Sequence, residues 1–116
     1  MRVVYLIFSV AILGLGLIHI AATPHLFPHL TAGALWFASG GLAIAFTGAF
    51  NLLNRAYGEA AFGLRLVCVI ANVVMTCFAV LEGYVSRASV VQFVLVVGLM
   101  AGAAVLSVLP AARRRS

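Results

Sequence analysis

A chain of 116 residues is one domain at most. Hydrophobic residues make up 66% of it and charged residues 8%, with a mean hydropathy of +1.24; a soluble domain is about a quarter charged, so a water-soluble globule is excluded. The net charge of +5 does not point to nucleic acid either, because the chain has no lysine and its arginines are scattered singly, except for Arg113, Arg114 and Arg115.

Four apolar runs follow in chain order, at about 3–22, 31–53, 60–83 and 89–109. Each covers ~30 Å of hydrocarbon as a helix rising 1.5 Å per residue. Backbone polar groups in lipid must pair within their own segment, and the runs are too long for barrel strands, so helices are required. The first run is longer than a signal-peptide core and no A-x-A site follows it, so a retained helix is expected. Arg2, Arg55, Arg65 and Arg113 to Arg115 fall on one side of the spans and Arg87 alone on the other. The positive-inside rule then puts both termini in the cytoplasm, with the terminal arginines as an orientation anchor. The fold expected for 1–116 is a single all-α integral membrane domain, four transmembrane helices in an up-down-up-down bundle, in a bacterial inner membrane.

The helix faces carry a second layer of information. In the second span Gly33, Gly40, Thr47 and Asn54 repeat every seven residues, with Gly48 and Asn51 close by. At ~100° per residue the directions of Gly33, Gly40, Thr47, Asn54 and Asn51 agree within ~60°. Gly98 and Gly102 form a small-xxx-small pair in the fourth span, and small residues let helix backbones approach closely. In the third span Arg65, Cys68, Asn72 and Thr76 lie within ~80° of one another by the same count. Asn51, Asn54, Arg65, Asn72 and Thr76 are therefore the intramembrane polar candidates, although Arg65 is near enough to its helix end to snorkel. Cys68 and Cys77 are nine residues apart and point to opposite sides, so they are expected as buried free thiols. Trp36 and Tyr84 near one boundary, with Tyr5 and Tyr57 near the other, read as aromatic belts.

The segment HIAATPHLFPH, 19–29, holds all three histidines. Thr23-Pro24 reads as a helix start, Thr as N-cap and Pro at N1, and Pro28 as a kink or break. A helical H-x3-H would place His25 and His29 on one face, and His19 or Glu82 could complete a three- or four-ligand set. Zinc or copper are the metals such a site would take, and two histidines on facing helices could instead ligate haem iron; without metal, the imidazoles and Glu82 could move protons. In size the chain is similar to the small multidrug-resistance transporters, but their first-helix glutamate has no counterpart in this first span. No P-loop, GxSxG, HExxH or dinucleotide fingerprint occurs.

The function expected from sequence is a small membrane binding or accessory protein, self-associating or a subunit of a larger membrane complex, with a His-rich metal or proton site on the outer face. The alternatives are a metal- or haem-dependent membrane redox enzyme using the histidines, and a small proton-coupled transporter using Asn72, Arg65 and Glu82. The partners expected are the lipid bilayer and other membrane subunits, with no nucleic acid.

Overall fold

The computed structural model describes residues 1–113; Arg114 and Arg115 of the expected anchor lie outside the described residues. The chain is all-helical. Four helices, α1 (Arg2–Leu26), α2 (Ala32–Tyr57), α3 (Phe62–Val85) and α4 (Val90–Val108), are followed by a short 3-10 turn at Pro110–Ala112. All four are long and apolar enough to cross a membrane, which points to a membrane location. Large apolar side chains such as Ile18, Leu81 and Leu95 are exposed on their outer faces, where lipid tails rather than water would meet them.

The helix ends follow from local chemistry, and two of them differ from the sequence expectation. Pro24 does not start a helix; it lies inside α1. Its missing N–H leaves one carbonyl of the preceding turn without a helical donor, yet the helix continues until the Phe27 N–H closes on the Thr23 carbonyl at 2.9 Å. Phe27, the residue before Pro28, then turns extended (φ −126°, ψ 92°), as a residue preceding proline prefers. The cap of α2 is Thr31, not Thr23: its hydroxyl accepts from the Ala34 N–H at 3.1 Å. Ser89 caps α4 in the same way. Between α3 and α4 the chain reverses through Arg87 at φ 51°, with the Ala88 N–H on the Gly83 carbonyl. This is the left-handed closure that ends many helices. Pro110 stops α4, as expected.

The closest helix pair is α1 with α2, and glycine makes that approach possible. A methyl group on Gly16 would overlap the Ala45 backbone nitrogen, and one on Gly48 would overlap the Leu13 backbone. Elsewhere an aromatic ring takes the space a side chain would need: Phe8 lies over Gly102, and Phe93 over Gly83. Among the glycines expected at helix contacts, Gly48 and Gly102 sit in such close approaches. Gly33 meets only the Phe27 ring at 3.4 Å, while Gly40 and Gly98 have nothing within 4 Å. The seven-residue repeat marked a direction on the helix, but Gly41, one position on from Gly40, is the residue that faces α1.

Tyr5, Leu106 and Ala112 form one buried cluster, and Ile12, Met100 and Ala103 form another. The start of α1 thereby meets the end of α4, and the Arg55 Nε–H on the Arg2 carbonyl brings in the end of α2; this is the Tyr5 end of the molecule. The opposite end, where α1 gives way to α2, is the His19 end.

Gly48→Ala should destabilise the protein by about 1–3 kcal/mol, because the α1 and α2 backbones must move apart. Gly98→Ala should stay within about 0.5 kcal/mol of the parent. Reversible unfolding in mixed detergent micelles measures both.

Candidate functional site

Two groups of polar side chains stand out. The first joins all four helices. The side-chain amides of Asn51 on α2 and Asn72 on α3 face each other and exchange two hydrogen bonds: Asn51 Nδ2 donates to Asn72 Oδ1 at 2.8 Å, and Asn72 Nδ2 returns one to Asn51 Oδ1 at 2.9 Å. Asn51 spends its other N–H on the Thr47 carbonyl at 2.8 Å. The hydroxyl of Tyr5, from α1, donates to Asn51 Oδ1 at 2.7 Å and accepts from Asn54 Nδ2 at 3.0 Å. Asn54 also donates to the Ser107 carbonyl of α4 at 3.1 Å. The Cys68 thiol lies within weak hydrogen-bond distance of Asn51, Asn72 and Tyr5. Tyr5, Asn51, Asn54, Cys68 and Asn72 are all fully buried.

Lone polar groups in an apolar interior are costly, and complete satisfaction turns them into rigid cross-links. Both hydrogens of the Asn51 and Asn54 amides are used. Within this group only Asn54 Oδ1 has no partner among the described residues, and it is packed against Gly58, where a side chain would overlap it. This arrangement is a structural clamp, and its side chains line neither of the cavities at the ends of the bundle. It also corrects one reading of the sequence: Tyr5 is not an interfacial belt residue but the hub joining α1 to α2. Cys68 is a buried free thiol, as expected, and belongs to the clamp. Of the other intramembrane candidates, Thr76 donates to the Asn72 carbonyl at 2.7 Å. Arg65 stands apart, with its guanidinium 5.2 Å from the centre of the Phe62 ring. Cys77 is free but exposed, on the outer surface and not in the core.

The second group lies at the His19 end. The His19 ring stacks on Phe37 with centroids 3.8 Å apart and planes 17° from parallel, and Phe27 tilts against the same phenyl ring. Stacking of this kind holds an imidazole in place without using its nitrogens. His19 borders a cavity of about 210 Å³ that Glu82 of α3 and Trp36 and Gly40 of α2 also line. Met75 and Met100 close its inner end. The open space beside Gly40 is therefore part of this cavity.

The histidine cluster expected from HIAATPHLFPH does not assemble. α1 ends at Leu26, so His25 sits in its last turn while His29 lies in the connection beyond Pro28, and no helical face carries both. His25 and His29 are exposed, and neither lines the His19 cavity. Among the described residues no three of His, Cys, Asp and Glu come close enough to share a metal ion. What the fold does bring together is one imidazole and one carboxylate in an aromatic, thioether-lined recess. That His19 of α1 and Glu82 of α3 border one cavity is not a spacing that sequence can display. The signal that was available is that Glu82 is the only acidic residue within an apolar span, the other, Glu59, being in the loop before α3.

Asn51→Leu and Asn72→Leu should each destabilise by about 1–3 kcal/mol, because each strands its partner's buried amide. The double variant should cost less than the sum, with a coupling of order 1 kcal/mol. Unfolding of the four proteins in one detergent closes the cycle. No family model, curated protein or solved structure matches this chain.

Proposed function

We propose that this is a small integral membrane binding protein that holds the flat, hydrogen-bonding head of a lipid-soluble molecule in the His19 cavity. The observation that carries this reading is the pairing of His19 and Glu82 on an otherwise aromatic and aliphatic wall. The buried amides of Asn51, Asn54 and Asn72 are consumed in the clamp, whereas the His19 imidazole and the Glu82 carboxylate border open space. At about 210 Å³ the cavity is smaller than the ~300–1,000 Å³ of pockets that enclose whole drug-sized ligands. It suits a ring-sized head with its tail left in the lipid. The Phe37 and Trp36 rings offer flat faces, an imidazole N–H donates to a carbonyl, and a carboxylate accepts from a hydroxyl.

In this reading the helices alternate up and down, the arginine-rich Tyr5 end faces the cytoplasm and the His19 end faces outward. The protein serves as an accessory module in a larger membrane assembly or as a self-associated one. Gly98 supports the association, because it lies exposed on the outer face of α4 with open space beside it. The metal reading loses its three-ligand basis among the described residues, and the haem reading would need a second histidine facing His19, which alone of the three borders the cavity. The transporter reading would need Asn72, Arg65 and Glu82 to cooperate, and these lie in the clamp, beside Phe62 and in the His19 cavity respectively.

Trp36 is the only tryptophan and lines the cavity, so the protein carries its own probe. A decyl-substituted benzoquinone added to the protein in nanodiscs should quench it saturably. Gly40→Leu should abolish saturation by filling the cavity, and His19→Ala should weaken binding about tenfold, the cost of one hydrogen bond to an oriented group. Glu82→Gln should leave binding of the quinone unchanged and weaken that of the reduced quinol, whose hydroxyl donates to the carboxylate. Equal, non-saturating quenching in all four proteins would mean simple partitioning into lipid and would sink the reading.

A further inference from the structure

At the Tyr5 end, a second cavity of about 170 Å³ opens between α3 and α4. Phe62, Leu66 and Val69 from α3 and Val108 from α4 make its apolar walls, and Arg65 and Arg113 supply two guanidinium groups. The chain has only two acidic residues, and neither lines this space. Arg113 is 4% exposed. Its Nη1 donates to the Ser107 carbonyl at 3.2 Å, an acceptor already in use by Asn54, while its Nε is buried without a hydrogen-bond partner among the described residues. A buried donor on a charged group is among the more costly groups to leave unpaired. The neighbouring N-terminus of α3 has no side-chain cap and no acid in its first turn, so no side chain of that turn answers its positive end.

We infer that this cavity binds the phosphate of an anionic phospholipid. Phosphate is the group whose geometry matches a guanidinium fork and whose charge answers two arginines. The apolar walls select the lipid over the free ion. Phe62, Leu66 and Val69 follow one another along α3, giving an acyl chain a track that starts at the arginines and runs into the span. Because Arg113 and Asn54 share the Ser107 carbonyl, a bound phosphate would tie the end of α4 to the clamp. The inference rests on the membrane reading given above but not on the His19 cavity.

Native mass spectrometry of the full chain from maltoside micelles tests it, with phosphatidylglycerol, phosphatidylcholine and inorganic phosphate as the three probes. Phosphatidylglycerol should bind in a one-to-one complex at least about tenfold more tightly than phosphatidylcholine, and Arg65→Gln or Arg113→Gln should each lose about tenfold. Arg2→Gln removes the same charge from the same end and should retain binding. Val108→Trp fills the cavity without touching a charge and should abolish binding, which keeps the test decisive if circular dichroism finds Arg113→Gln unfolded. Equal binding of the two lipids, or equal loss in Arg2→Gln, would overturn the inference. So would displacement of phosphatidylglycerol by an equal concentration of inorganic phosphate, which would make the cavity a free-anion site. Trp36 quenching by the benzoquinone should be unchanged in Arg65→Gln, so this site and the His19 cavity can fail separately.

Discussion

The amide pair of Asn51 and Asn72 is the interaction on which the rest of the structure depends. Lipid offers no hydrogen bonds, so an asparagine in a span must find its partner inside the protein. Two asparagines from different helices solve this together, each donating to and accepting from the other. Once they are paired, the relative rotation of α2 and α3 is set, and the remaining lone pair of Asn51 Oδ1 is turned toward α1. Tyr5 fills that position and passes the constraint to Asn54, which passes it to the Ser107 carbonyl of α4. Three asparagines and one tyrosine thus fix the mutual orientation of four helices. Apolar packing alone could not do this, since lipid tails are as apolar as leucine.

The clamp also decides where binding chemistry remains. Its side chains are buried and, apart from Asn54 Oδ1, bonded to one another or to the backbone. The polar groups left outside it are few and lie at the two ends. His19 and Glu82 border one cavity, and Arg65 and Arg113 the other. Between them the glycine contacts hold α1 tight against α2, while α2 meets α3 less extensively. The bundle is closed on one side and looser on the other, and the looser side is where space opens at the His19 end.

Part of the site was legible and part was not, and the division has physical causes. The intramembrane asparagines were visible as a polar stripe, because polar side chains in an apolar run have few other reasons to be there. Tyr5 was not, because a tyrosine near a span end is equally suited to the interface and its 46-residue separation from Asn51 leaves no local trace. The histidine segment misled through its prolines. Thr23-Pro24 has the composition of a helix start, yet an established helix of more than twenty residues tolerates one lost hydrogen bond, and the break fell at Pro28 instead. That two-residue arithmetic separates His25 from His29. Gly40 and Gly41 show the same sensitivity: one step of ~100° moves a glycine from the α1 contact to a cavity wall.

The sequence by itself determined the class: four helices long and apolar enough to cross a membrane, their approximate limits, and the polar residues that had to find partners within them. These follow from local composition and from the obligation of every backbone group in lipid to pair within its own segment. Only the tertiary structure decided which polar groups met. Asn51 with Asn72, Tyr5 with Asn54, His19 with Glu82, and Arg65 with Arg113 are all juxtapositions across helices. Each depends on helix rotation to within a fraction of a turn, and rotation is set by all the packing contacts jointly and by no short stretch of chain.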